Sequence, residues 1–265
     1  MNLFKIIDDL QQIDGEAIDR LEHASRRSFI SNLGSLSKKA ALAAAPVAVA
    51  SMFNKATAQS AMAVEVLQFA LTLEYLEAEF YTMGVNKAGL IPAETMDVFD
   101  QIRKHEVAHV KLLENALGLT PNQNKPNFNF NVMGLDPFNN YADFVFLAHA
   151  FEDLGVRAYK GQAGNLINDD AILQVALQIH SVEARHAAEV RHILSMMRNN
   201  PNIEPWITLA QGEPAPVYAG EDNTTHAGLD VMTVTSKSKE AVTEAFDEPL
   251  SKQAVLDIAK PFIVM

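Results

Sequence analysis

Two stretches of this 265-residue chain set a glutamate and a histidine three residues apart among strong helix formers. They are Glu106 and His109 in "HEVAHV", and Glu183 and His186 in "VEARHA". Residues i and i+3 are neighbours on a helix surface, so each pair can face one ion. One such pair alone is more often a solvated surface pair than a metal-ligand pair. Each pair here, however, follows a second motif. "EYLEAEFY" places Glu74 seven residues before Tyr81, and "EDLGVRAY" places Glu152 seven before Tyr159. Glu74 precedes Glu106 by 32 residues, and Glu152 precedes Glu183 by 31. The chain thus reads as an internal duplication, each copy supplying Glu, then Glu-x-x-His.

Seven residues is nearly two helical turns, so each tyrosine shares a face with its glutamate, about 10.5 Å further along the axis. That face is apolar, flanked by Leu71, Ala78, Phe151 and Leu154, so the acids should project into a helical interior. Four carboxylates and two neutral imidazoles carry four negative charges there. An unpaired buried carboxylate is very costly, whereas two divalent cations cancel the charge. Carboxylate and imidazole donors without thiolate suit iron or manganese. The alternative is a buried hydrogen-bond network in which raised pKa values let protons take the place of metals.

Other residues compete for a role. Glu77 is a rival ligand, but its counterpart in the repeat is Gly155, so Glu74 is preferred. Glu79 is expected to be solvated. His149 and His180 each sit three residues before a candidate ligand, as extra ligands, proton relays or hydrogen-bonded packing residues. His105 and His192 are expected on the outer face, and Met196 and Met197 in the core.

The elements that must position these residues follow from hydrophobic period and stop signals. Ser60 is suited to cap a first helix over about 61–85. Pro92 fits the first turn of a second, running to about Ala116 before Gly118. A third runs from near Asn140 to about Gly161, and a fourth from Asp169 or Asp170 to about Arg198. Short turns join the first to the second and the third to the fourth, giving two antiparallel hairpins. The link between the hairpins has roughly 23 residues, enough to reach about 75 Å, while a 24-residue helix is about 36 Å long. It can therefore run the length of the bundle and set the third helix parallel to the second. Within it, "NFNFNV" alternates Phe128, Phe130 and Val132 with asparagines, so one edge of an extended strap can lie on the bundle. Two hairpins with one long crossover form an all-α, ferritin-like four-helix bundle. Residues 201–265 read as a tail packing on it, with a short helix at 251–259 and no site chemistry.

The net charge of -12 argues against nucleic acid and anionic lipid as partners. Without cysteine, the chain has no disulfide, iron–sulfur cluster, thiolate zinc site or thiol nucleophile. Residues 1–58 read as an address. Arg26 and Arg27 in "SRRSFI", the apolar run Ala40 to Phe53 and the small residues Ala56 and Ala58 resemble a twin-arginine export signal, cut after Ala58. The apolar run has 14 residues, short of the roughly 20 that span a bilayer, so stable membrane insertion is not expected. The acid-rich start before Arg26, and Lys38 and Lys39, depart from the usual signal pattern.

Through its four motifs, residues 61–200 resemble exported ferritin-like, rubrerythrin-type proteins, a group that includes desiccation-related members. The resemblance implies a di-iron (or dimanganese) centre held by Glu74, Glu106, His109, Glu152, Glu183 and His186. It implies that Tyr81 and Tyr159 stand behind the ligands, each hydrogen-bonded to a ligating carboxylate. It implies an oxidoreductase or ferroxidase that meets O2 or peroxide in the periplasm, and is compatible with a homo-oligomer. The Cys-rich rubredoxin module of rubrerythrins proper has no counterpart here. A non-enzymatic stress or desiccation-related protein with a structural or vestigial metal site is the other reading.

Overall fold

The computed structural model describes residues 60–264. The export-signal reading falls on residues outside this range. Four long helices dominate: α1 (Ala61–Asn86), α2 (Ala93–Ala116), α3 (Tyr141–Gln162) and α4 (Asp170–Arg198). Their ends have local causes. The Ser60 hydroxyl accepts from the Ala63 amide, and the Asn140 side chain accepts from that of Ala142. Pro92 precedes α2 as its cap and does not enter its first turn. Asn199, in the left-handed region at φ 48°, ends α4, a conformation asparagine tolerates better than most residues.

Side-chain pairings fix the directions of the helices. Tyr75 reaches Glu114, and the Tyr81 ring stacks near Phe99, so α1 and α2 are antiparallel. Asp153 meets Arg191, while Gly155, further along α3, faces Glu183, earlier in α4, so α3 and α4 are antiparallel too. Phe144, early in α3, stacks on Phe80, late in α1, while Tyr159, late in α3, reaches back to Glu74. Antiparallel α1 and α3 leave α3 parallel to α2, as the long crossover requires. The two helices close in where Gly84 faces the Phe144 ring, 2.2 Å from where a Cβ would stand.

The crossover behaves as an extended strap. Phe130 is buried against Phe80, Phe138, Phe151 and Phe262, Phe128 and Val132 are half-buried, and the intervening asparagines are exposed. Its strand β1 (Asn127–Phe128) pairs antiparallel with β4 (Ile263–Val264) at the far end of the chain. The tail between holds a second two-stranded ladder, β2 (Thr225–His226) with β3 (Leu229–Asp230), and two short helices, α5 (Lys239–Thr243) and α6 (Lys252–Ala259). Ile207, Val217, Leu250, Val255 and Ala259 of the tail cover Leu73 of α1 and Ala150, Leu154 and Ala158 of α3. Met196, expected in the core, is 57% exposed on α4. None of the helices among the described residues is long and apolar enough to cross a membrane.

Candidate metal centre

Each long helix delivers its acid to the same inner seam. Glu74, Glu106, Glu152 and Glu183 are all 0% exposed. Aromatic and aliphatic layers lie beyond them: Phe80, Phe99, Phe144 and Phe151 towards one end, Leu67, Leu71, Val110 and Leu113 towards the other. All four are sealed from the surface by their burial, so their charge must be met inside the bundle.

The ligand atoms gather in two groups, each with its members within 4.8 Å of one another. One group is Glu74, Glu106, His109 and Glu183; the other is Glu106, Glu152, Glu183 and His186. Glu106 and Glu183 belong to both. The six candidate ligands therefore form two adjacent clusters joined by two shared carboxylates. Nδ1 of His109 lies 3.2 Å from Glu74 Oε2, 3.2 Å from Glu106 Oε2 and 3.4 Å from Glu183 Oε1. One ring nitrogen carries at most one proton, so it cannot serve three carboxylate oxygens.

The second cluster is shorter still of donors. Glu106 Oε1, Glu152 Oε2, both oxygens of Glu183 and Nδ1 of His186 are buried without a hydrogen-bond partner. His186 Nδ1 is nevertheless 3.0 Å from Glu106 Oε1 and 3.2 Å from Glu152 Oε2. These atoms crowd together, the ligand atoms of each group within 4.8 Å, with donors missing for several of them. A cation there would satisfy them all, so the donor set fits a pair of divalent metal ions.

Without cations, the same crowding redistributes protons. Burial, partly offset by His109, pushes Glu74 up to about 7. Burial and the Glu106 charge raise Glu183 well above the carboxylate range, and burial raises Glu152. Burial alone would raise Glu106 too, but its contacts with His109 and His186 outweigh it and hold it low. Burial disfavours the imidazoliums, yet the Glu74 carboxylate lifts His109 far above its ordinary range, and Glu152 helps lift His186 to about 11. Protons and metal ions thus compete for the same donors.

The tyrosines are arranged crosswise. Tyr81 of α1 donates to Glu152 Oε1 of α3 at 2.5 Å, and Tyr159 of α3 donates to Glu74 Oε1 of α1. Each copy of the duplicated hairpin therefore steadies the other copy's acid. Burial raises both phenols far above their ordinary range, which keeps them donors.

Glu77, set aside in favour of Glu74, is also buried at the centre. It lies outside the two converging groups, but its carboxyl reaches the space opposite, where Gly155 has no side chain. A Cβ on Gly155 would stand 3.0 Å from Glu183 Oε2 and 3.4 Å from Glu77 Oε1. Burial and the Glu183 charge raise Glu77 well above the carboxylate range. Its i+3 spacing from Glu74 was the available signal. The internal repeat masks it, because the two copies have diverged at this position, Glu77 standing against Gly155.

The remaining histidines divide. His105, expected on the outer face, is half-buried and hydrogen-bonds His186. Its place four residues before His109, on the same face, could have revealed this. His192 is exposed, as expected. His149 and His180 join neither metal-type group. His149 instead meets Tyr218 and Asp153, and Asp153 is held by Arg191 and Tyr218. The tail, read as free of site chemistry, thus supplies a buried tyrosine to a polar network beside the centre. Glu79 is half-exposed and paired with Lys125.

A family model for the ferritin-like domain matches residues 62–196. No curated protein matches the chain.

Proposed function

The chain belongs to the ferritin-like domain family, and from that premise we propose that the bundle holds a dinuclear metal centre used in redox chemistry. In this reading Glu74 and His109 would hold one ion and Glu152 and His186 the other, with Glu106 and Glu183 in reach of both positions. The observation that carries it is the set of buried oxygen and nitrogen atoms that converge without hydrogen bonds. Donors limited to carboxylate and imidazole favour iron, with manganese second. Bound there, two iron(II) ions would supply the two electrons that, with two protons from solvent, reduce hydrogen peroxide to two waters, or would be oxidised by O2.

The protein's own part is geometric and electrostatic. Tyr81 and Tyr159 fix the orientation of Glu152 and Glu74 by donating to Oε1 of each, leaving Oε2 beside the histidine of the same group. The aromatic layer of Phe80, Phe99, Phe144 and Phe151 keeps bulk water from the centre. Both contributions leave redox work to the metal and positioning to the chain. We place the protein in the periplasm, exported as a folded and metal-loaded domain, on the strength of Arg26, Arg27 and the apolar run after them. This reading makes it a rubrerythrin-type oxidoreductase or ferroxidase.

The test is to purify the chain, load it anaerobically with iron(II), count bound metal and then admit O2 or peroxide. Two ions per chain and rapid oxidation, both abolished in Glu106→Ala, support the reading. Less than one ion per chain, with thermal stability unchanged by metal, would instead indicate a protein that uses the bundle for stress protection alone.

A further inference from the structure

The two candidate metal positions share the same ligand types, yet their histidines are held differently. Nε2 of His186 lies 2.8 Å from Nδ1 of His105. The two rings are within 10° of parallel, with centroids 5.1 Å apart, the disposition of an imidazole–imidazole hydrogen bond. Nε2 of His105 is in turn 2.7 Å from the Gln101 amide nitrogen; with that amide turned over, its oxygen accepts the proton that a neutral His105, accepting at Nδ1, carries on Nε2. His109 has no such support. Its Nδ1 faces three carboxylates, and its Nε2 has no hydrogen-bond partner among the described residues.

The difference matters because Nδ1 of His186 can bind a cation only when it carries no proton. The ring's remaining proton then sits on Nε2, where His105 Nδ1 accepts it. A hydrogen bond to the far nitrogen of a ligating histidine fixes its tautomer and ring angle and makes it a better donor, and losing such a partner typically costs 10–100-fold in metal affinity.

We infer that His105 is a positioning residue that holds His186, and so makes the Glu152–His186 position bind metal more tightly than the Glu74–His109 position. This rests on the dinuclear reading above. His105 lines a groove of about 360 Å³ between α2 and α4, shared with Asp97, Gln101, Arg185 and Glu189, which reaches His186. Water could therefore replace a truncated His105, so a leucine, which fills the space without accepting a proton, is the informative substitution.

The whole chain, stripped of metal, is titrated with cobalt(II), whose visible bands report each coordination step. The wild type should bind in two unequal steps. In His105→Leu the tighter step should weaken about 10–100-fold while the looser one stays put, and His105→Gln, which can still accept at a similar reach, should restore most of the loss. A wild type with two equal steps, or a leucine variant that changes neither step or weakens both alike, overturns the inference and leaves the dinuclear reading standing. A wild type that binds no cobalt overturns both. Should His105→Leu fail to fold, nitrogen NMR of the zinc(II)-loaded wild type decides: a proton on His186 Nε2 supports the inference, and metal on that nitrogen overturns it.

Discussion

Tyr81 on α1 donates its phenolic proton to Glu152 on α3, at 2.5 Å, and not to a glutamate of its own helix. Its counterpart Tyr159 returns the bond to Glu74. Removing the Tyr81 hydroxyl strands a buried carboxylate oxygen, which costs about 1–3 kcal/mol. Tyr81→Phe should therefore lower the stability of the metal-free protein by about that amount in urea unfolding. It should still bind two ions, with the Glu152 position weakened. Unchanged unfolding would mean that the bond contributes nothing.

The sharing of Glu106 and Glu183 between the two groups separates two kinds of ligand substitution. Glu106→Ala and Glu183→Ala each remove a donor from both ions and should leave less than one ion bound per chain. Glu74→Ala and Glu152→Ala each remove a donor from one ion and should leave about one. Metal analysis after dialysis checks the contrast. Equal losses from all four variants would contradict the assignment of shared carboxylates.

Glu77 offers a test through pH. Burial, and next the Glu183 charge, hold its acid well above the ordinary value of 4.5. The folded metal-free protein keeps a proton that the unfolded chain releases above that value. The stability linked to this proton is complete below about 4.5 and drains away as pH rises towards the folded value. Glutamine never ionises, so Glu77→Gln should be more stable than the parent at pH 7 and close to it at pH 4. Urea midpoints of the metal-free proteins at the two pH values read this directly, and identical midpoints at pH 7 would refute a neutral Glu77.

His149 has the opposite dependence. Burial, only partly relieved by Asp153 and reinforced by Arg191, lowers it from 6.5 to about 4. Below 6.5 the unfolded chain takes up a proton that the folded protein refuses, so stability is lost as pH falls towards 4. The shift corresponds to about 3 kcal/mol at most. His149→Gln should flatten that part of the stability profile, measured as melting temperature between pH 7 and pH 4.5. A variant that loses as much as the parent over this range would count against a neutral, buried His149.

Much of this could be read from residue order. The caps at Ser60, Asn140 and Ser251 mark helix starts, and the alternating phenylalanines of the strap marked its buried edge. The four acids with their tyrosines and histidines were legible because spacing on a helix determines facing. What escaped depended on contacts that spacing does not encode. Tyr218 meets His149 across 69 residues of sequence, and nothing local to "PVYAG" announces a buried hydrogen bond. The crosswise tyrosine bonds were hidden because same-helix facing does not say which neighbour a long side chain will reach. Glu77 was passed over because a repeat was assumed to stay symmetrical, and Met196 was misplaced because an apolar side chain need not be buried.

Arg157 of α3 is fully buried, and every group it bonds to comes from the tail: the carboxylate of Glu221 at 2.7 Å, and the carbonyls of Val217, Ala219 and Glu248. Breaking such a pair from one side typically costs about 3–5 kcal/mol. The region that carries the family likeness is consequently not a unit that could be excised. A chain cut back to its four long helices would keep every candidate ligand and yet contain a naked guanidinium where its lining used to be.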